Sequence, residues 1–406
     1  MEKFLTKAQK LDNVRYDIRG KLNQEAGKMA DEGIDILKLN IGNPTPFGFK
    51  APDELVKMMG ENLNTYQGYT DSKGLIDARR AIVDYCEEKH IKGVTPNDVY
   101  IGNGVSELIT MSMQCLLNPE DEVLVPAPDY PLWTASINLA GGKAVHYICD
   151  EENEWNPSVA DIRNRITDKT KAIVVINPNN PTGALYSKEI LLEIVAIARE
   201  YQLAIFADEI YDRLVMDGLE HISLASLADD VFFVSFNGLS KSHMMCGYRV
   251  GWMCLSGDKT LAKGFIEGLE LMSSMRLCSN APAQSIVIAA LANREYTKSL
   301  LVPGGRVYEQ REYVYNALNS IDGVTAVKPK AAFYIFAKLD TEKFNITSDE
   351  QFSLDLLHEK HILMTNGKGF NWIAPDHVRV VYLPCVEDLK VACESLKDFL
   401  ATYKQK

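Results

Sequence analysis

Between residues 99 and 255 the chain repeats one pattern: a short apolar run rich in Val and Ile, a loop, then a stretch with helical spacing. The runs are Val99–Ile101, Glu122–Pro126, Lys143–Tyr147, Ala172–Ile176, Leu203–Ala207, Val231–Phe236 and Arg249–Leu255. Several are apolar throughout and lack the alternation of a half-exposed strand. A strand covered on both faces has no polar face to show, so these runs predict a mainly parallel sheet with helices on both sides. The stretches between them fit the crossovers such a sheet requires. Ser106–Leu117 follows the first run, and Lys188–Gln202 carries Ile190, Leu191, Ile194, Val195 and Ala198 with Ser187 placed to cap it. The expectation is an α/β unit built on a seven-stranded sheet, with its ligand at the carboxyl ends of the strands.

The flanks break the pattern. The first 30 or so residues read as an arm and a helix, Lys21–Glu32, followed by a short strand, Ile36–Ile41. Pro44, Pro46 and Pro52 then mark a linker. After the turn at Pro303, a helix over Arg306–Ile321 leads to strands at Ala331–Lys338, His361–Thr365 and His377–Tyr382 and a closing helix, Val386–Lys404. At 406 residues two domains are expected rather than one. The arm and part of a small α+β domain fall in 1–50, the large domain in 51–305, and the rest of the small domain in 306–406.

Net charge narrows the partners. At −12 the chain is a poor match for nucleic acid or for an anionic membrane surface, although a local basic pocket for a small anion stays open. Eight cysteines are scattered without a C-x-x-C pair, which fits small buried side chains in a reducing compartment. Seven histidines show no metal-binding spacing, so no metal is expected. The first eleven residues are charged and lack an apolar core, and no run is long enough to span a bilayer. A soluble, cytoplasmic protein is the expectation.

Chemistry concentrates after the predicted strands. In F-N-G-L-S-K-S-H-M-M-C-G-Y-R-V-G-W, Lys241 lies in a mostly uncharged neighbourhood with Arg249 eight residues on. A lysine near apolar surface and a fixed cation loses its proton more easily and becomes a nucleophile toward aldehydes. An arginine suits a phosphate dianion. A cofactor with both an aldehyde and a phosphate would satisfy the pair, and pyridoxal phosphate is such a molecule. In I-G-N-G-V-S-E-L, Gly104, Val105 and Ser106 turn a strand into a helix whose first amides can hold phosphate. In N-P-N-N-P-T-G two prolines stiffen the loop around Asn180, which can donate to a phenolate. In F-A-D-E-I-Y-D, Asp208 ends an apolar strand, where a carboxylate needs a cationic partner, and Tyr211 follows three residues later. Tyr130, between prolines in A-P-D-Y-P-L-W, is a rigid platform for a planar ring. Each segment alone is matched by a plain turn, cap or packed aromatic.

Together and in this order the segments resemble the class I/II aminotransferases, the fold-type-I pyridoxal-phosphate enzymes. The resemblance runs from L-N-I-G-N-P at Leu39 to V-R-V-V-Y-L-P at Val378. Y-D-I-R-G, G-N-P-T-P-F-G-F, F-N-G-L-S-K and I-E-G-L-E look like the alanine-type, glutamate–pyruvate branch. The resemblance implies that Lys241 carries the cofactor as a Schiff base and later moves the α-proton. It implies that Asp208 pairs with the ring nitrogen, that Asn180 and Tyr211 hold the ring oxygen, and that Tyr130 stacks on the ring. Gly104, Val105, Ser106, Ser240 and Arg249 would hold the phosphate. Tyr69 matches a tyrosine that reaches the phosphate from a neighbouring subunit, which implies a homodimer with shared active sites.

Arg379 in V-R-V-V-Y is the residue for the substrate α-carboxylate, with the Gly42 amide beside it. Tyr16 and Arg19 lie on the arm, and Arg19 is the candidate for the distal carboxylate of glutamate, against the alternative of a solvated charge. The implied reaction moves an amino group between L-alanine/pyruvate and 2-oxoglutarate/L-glutamate. An aspartate or aromatic aminotransferase and a β-eliminating lyase on the same fold are the alternatives. A non-catalytic regulator would need a DNA-binding segment for which there is no room before Leu39, and G-N-G-V-S-E at Gly102 lacks the last glycine of a nicotinamide site. One departure stands out: Cys385 follows L-P where the branch usually has arginine, and nothing in the residues explains it.

Overall fold

The computed structural model describes residues 5–14, 16, 20–293 and 295–406. Strand β1 (Leu37–Lys38) precedes the large sheet. That sheet contains β2 (Val99–Asn103), β3 (Glu122–Ala127), β4 (Lys143–Asp150), β5 (Asn156–Pro157), β6 (Thr170–Ile176), β7 (Ala204–Asp208), β8 (Phe233–Gly238) and β9 (Val250–Ser256). Beyond it come β10 (Val324–Ala326), β11 (Tyr334–Leu339), β12 (Ile362–Leu363), β13 (Thr365–Asn366) and β14 (His377–Val381).

The large sheet has the order β2-β9-β8-β7-β6-β3-β4-β5. Alternate residues of its central strands feed two separate cores. Leu124, Ile173, Val175 and Ile205 join one, while Val123, Val125, Val174 and Phe206 join the other. Both faces are therefore apolar, which is why these strands show no polar alternation. Helices supply the covering layers. Lys188–Tyr201 buries Leu191, Ile194, Val195 and Ala198, and the Ser187 hydroxyl accepts from the Ile190 amide at 3.3 Å to cap it.

The seven expected strands form, and an eighth is added. Strand β5 is two residues long and pairs antiparallel at the sheet edge, too short to leave a periodic signal. Strand β9 has the larger consequence. It runs antiparallel to both β8 and β2, so its first residues lie beside the last residues of its neighbours: Val250 pairs with Asn103, and Gly251 with Gly238. The segment just before β9 thereby reaches the sheet edge where the parallel strands end.

The smaller α+β unit draws on both ends of the chain. Its sheet runs β10-β11-β14-β13, and β1 pairs in parallel with β12 through Leu37 and Ile362. Helix Lys21–Asp31 packs Leu22, Ala26 and Met29 against Leu354, Leu357 and Leu363. The strand expected over Ile36–Ile41 contracts to two residues, and that over His361–Thr365 divides into β12 and β13 around Met364. The last helix ends at Leu400, not Lys404.

Candidate active site

The strand ends converge on a cavity of about 190 Å³. Ile176 and Asp208 end β6 and β7, Ser240 and Lys241 follow β8, Val105 and Ser106 follow β2, Tyr130 follows β3, and Arg249 precedes β9; all line it. The smaller unit closes the other side with Gly42, Tyr334 and Arg379, and the arm contributes Tyr16.

At one end is a cradle for an anion. Val105 and Ser106 open the helix Val105–Leu116, whose first amides have no intrahelical acceptors. Gly104, at φ +81, makes the turn, and a Cβ there would strike the Arg249 guanidinium. The Gly104 amide itself donates to Gly102 O at 2.7 Å. Arg249 occupies the left-handed region at φ +59, a conformation that costs an L-residue about 1–2 kcal/mol. It is held there by donating from Nη1 to Cys246 O at 2.7 Å and from Nη2 to Asn103 O at 3.1 Å.

In the middle sits Asp208, only 3% exposed. Its carboxylate accepts from Trp133 Nε1 at 3.0 Å and from the Ile210 amide at 3.4 Å, and among the described residues no cation pairs with it. Burial raises its pKa to about 6, with those two hydrogen bonds pulling the other way. Tyr211 is buried nearby, its hydroxyl 2.8 Å from that of Tyr334. Asn180 is left free to face the cavity because its neighbours fix the loop. Asn177 Oδ1 accepts from the Tyr186 amide at 2.9 Å, and Asn179 Oδ1 accepts from Thr182 Oγ1 at 2.8 Å.

At the far end Arg379, 2% exposed, lies between the rings of Tyr334 and Phe370, each centroid 4.4 Å from Cζ. Its Nη1 donates to Asn180 Oδ1 at 2.8 Å and its Nη2 to Asn40 O, and burial pushes its pKa down. No carboxylate among the described residues pairs with it. Lys241 Nζ donates to Gly42 O at 2.7 Å, and the Tyr16 hydroxyl is 3.0 Å from that of Tyr130. The lining thus holds three cations, Lys241, Arg249 and Arg379, against one carboxylate, Asp208, and none of the four has a charged partner among the described residues.

This geometry agrees with relationships along the whole chain. The family model for aminotransferase class I and II matches residues 34–396. The chain belongs to the class I and II aminotransferases. The glutamate-pyruvate aminotransferase AlaA of Haemophilus influenzae is 56% identical over 403 residues, which cover 99% of this chain and 100% of that protein. A crystal structure of an aminotransferase from Escherichia coli superposes with a TM-score of 0.98 at 52% identity, covering all of both chains. The alanine aminotransferase from Pyrococcus furiosus gives 0.93 at 39% identity, covering 98% of this chain and 100% of that one.

Twelve of the residues singled out in the sequence line the cavity of this aminotransferase: Tyr16, Gly42, Val105, Ser106, Tyr130, Asn180, Asp208, Tyr211, Ser240, Lys241, Arg249 and Arg379. Gly104 lies against Arg249 at its edge. Tyr69 does not enter the cavity of its own chain and is 83% exposed. Arg19 lies outside the described residues. Sequence reasoning missed Tyr334 and Trp133. Trp133 had a readable signal: it follows Tyr130 by three residues, and a buried indole N–H requires an acceptor. Tyr334 had none of its own, since its role depends on β11 pairing with β14.

Proposed function

We propose that this aminotransferase binds pyridoxal phosphate and exchanges amino groups between L-alanine/pyruvate and 2-oxoglutarate/L-glutamate. One observation carries the reading: a buried anion and a buried cation, each without a charged partner among the described residues, line the same small cavity, with a lysine amine beside them. Unmatched buried charges are costly unless a ligand completes them. A protonated ring nitrogen suits Asp208, a substrate carboxylate suits Arg379, and a phosphate suits Arg249 with the Val105 and Ser106 amides and Ser240. Asn180 and Tyr211 are the donors for the ring oxygen, and Tyr130 offers a ring to stack on. The alanine-type and glutamate–pyruvate names of the H. influenzae and P. furiosus relatives support the substrate pair.

When bound, pyridoxal phosphate supplies an aldehyde for a primary amine and a protonated ring that withdraws electrons from the adjacent carbon. Lys241 then acts as the general base, its Nζ taking the proton from the substrate α-carbon and later giving it up. The Gly42 carbonyl, 2.7 Å from Nζ, orients that amine. Arg379, fixed between two rings, holds the α-carboxylate in one pose, so that the α-proton faces the lysine. Tyr16 joins the arm to Tyr130 at the cavity lining, which supports an arm that excludes water.

The working unit is a homodimer, with Tyr69 of each copy completing the other's phosphate site. Tyr69, Leu271, Met275 and Leu277 are each exposed within one chain, which is compatible with a partner covering them. The division into 51–305 and the two flanking segments is the reading of the domains that the two separate sheets support. Eight free cysteines favour a cytoplasmic setting, and among the described residues no helix is long and apolar enough to cross a membrane.

Absorbance spectroscopy tests the proposal. Purified protein should show a visible band that borohydride removes, and mass spectrometry should place the trapped group on Lys241. Lys241→Ala should lose the band and about 10³-fold or more of the activity. An adduct on another residue would defeat the assignment. A panel of amino donors against pyruvate and 2-oxoglutarate separates the alanine pair from aspartate or aromatic substrates, and an activity that needs no oxo acid would indicate a lyase.

A further inference from the structure

We propose that Tyr334 is a positioning residue that couples carboxylate binding at Arg379 to hydrogen bonding at Tyr211; the inference rests on the cavity being a pyridoxal phosphate site. Its placement follows from sheet register. Strands β11 and β14 are antiparallel, with Phe336 opposite Arg379 and Tyr334 opposite Val381. Tyr334 and Arg379 are therefore diagonal neighbours on one face, within reach of a long aromatic and a long basic side chain.

From that position one side chain makes three contacts. Its ring lies 4.4 Å from Arg379 Cζ. Its hydroxyl lies 2.8 Å from the Tyr211 hydroxyl, with the two rings edge-on at 5.7 Å. Its hydroxyl also occupies the space a Cβ would need at Gly42, the residue whose carbonyl receives Lys241 Nζ. Tyr334 is 2% exposed, so it has little freedom to leave any of the three.

The chemistry of two hydroxyls gives the contact a direction. A hydroxyl has one proton to donate, so if Tyr211 donates into the cavity it accepts from Tyr334. Donation in series strengthens each bond. The Arg379 charge against the Tyr334 ring makes that hydroxyl a better donor, and through it Tyr211 a better donor to the ring oxygen. A carboxylate arriving at Arg379 offsets the charge and weakens the chain. The ring site then holds its proton more tightly once substrate is present. The titratable and charged groups facing the Tyr211 hydroxyl are Tyr334, Arg379 and Tyr130, with Lys241 Nζ 6.0 Å from its ring. Of these, Tyr334 alone touches both Tyr211 and Arg379.

The test is a spectroscopic pH titration of the cofactor-loaded enzyme with and without propionate, a monocarboxylate with no amine to react. For the wild type, saturating propionate should move the midpoint of the absorbance change upward by at least about 0.5 pH unit. Tyr334→Phe keeps the ring and removes the hydroxyl. It should start at a higher midpoint than the wild type and move by less than half as much, while its dissociation constant for propionate changes less than about three-fold. Tyr334→Leu, which also removes the ring, should weaken propionate at least about ten-fold. A Tyr334→Phe midpoint and propionate shift equal to those of the wild type would overturn the coupling, as would unaltered propionate affinity in Tyr334→Leu. A wild type with no pH-dependent band would instead count against the cofactor reading itself.

Discussion

Asp208 and Asp212 lie four residues apart in F-A-D-E-I-Y-D, and both are buried, yet they meet opposite surroundings. Asp212 ion-pairs with Lys89 at 2.9 Å and accepts from the Tyr85 hydroxyl. Burial alone would raise its pKa, but Lys89, with His221 and Tyr85 behind it, holds the carboxyl well below the usual range. Asp208 has no cationic partner among the described residues and rises to about 6. The arginines repeat the contrast. Arg311 is fully buried and grips Asp217 with two bonds, at 2.6 and 2.7 Å, with Glu312 at 2.7 Å. Arg379 is as deeply buried and has no acidic partner among the described residues. Burial of charge is therefore not the mark of the site; buried charge left open toward a cavity is.

The largest test of this contrast exchanges the carboxylates for amides. Asp208→Asn should lower turnover by about 10²–10³-fold, the scale for losing a fixed charge aimed at the reacting group. It should leave the cofactor-free protein at least as stable at pH 7. An acid whose folded pKa is raised opposes folding as pH climbs from its unfolded value of 3.8 through about 6, and the amide removes that opposition. Asp212→Asn should do the reverse, costing about 3 kcal/mol at pH 7 by stranding Lys89 while leaving the cavity intact. Its folded pKa is depressed, so its contribution is present above the unfolded value and fades as pH falls through the folded one. Thermal melts of both variants from pH 2 to pH 8 check the signs. Equal destabilisation by the two substitutions would erase the distinction.

The arginines give the next effect in size. Arg379→Ala should raise KM about 10²-fold for every amino acid, in keeping with loss of a charge-assisted, bidentate contact of about 3 kcal/mol, and should hardly lower the melting temperature of the cofactor-free protein. Arg311→Ala should lower the melting temperature, at about 2–4 kcal/mol, with KM little changed. Steady-state kinetics beside thermal melts separate the two outcomes, and a variant at Arg311 that lost substrate affinity while melting normally would break the pairing.

How much of this was readable in the residues follows the same division. The large-sheet side was readable because each proposed site residue there sits within a few residues of an apolar run: Asp208 ends one, Lys241 follows one, and Arg249 precedes one. Only the reversal of β9, which no local pattern encodes, explains why Arg249 belongs with the others. The carboxylate side was harder. Arg379 stood out as a charge in an apolar strand, but Tyr334 gains its meaning only from the register of β11 against β14, a contact between residues 45 apart in sequence. Strand β5 and the break at Met364 escaped because two-residue strands carry no period. The paired acids and bases, Asp212 with Lys89 and Arg311 with Asp217, gave no sequence signal that they were a matched set.

Tyr69 offers the finest distinction, since among the described residues it differs from every other proposed site residue in being exposed within one chain. Its loop is not loose. Lys73 O accepts from the Ile101 amide at 2.8 Å and Ser72 O from Arg276 Nη2 at 2.7 Å, which ties the segment to the strand that leads into the anion cradle. The aromatic side chain is nevertheless exposed and does not line the cavity of its own chain. If a second copy covers it, the hydroxyl becomes one neutral donor to a phosphate already held by Arg249. Removing such a donor costs about 0.5–1.5 kcal/mol. Tyr69→Phe should therefore weaken the cofactor by only about 2–13-fold, with the dimer and the melting of cofactor-free protein unaltered. Cofactor titration beside sedimentation at several protein concentrations reads both quantities. Wild-type affinity that stays constant as the protein is diluted into monomers would mean that each chain completes its own phosphate site, and Tyr69 would then belong with the solvated surface.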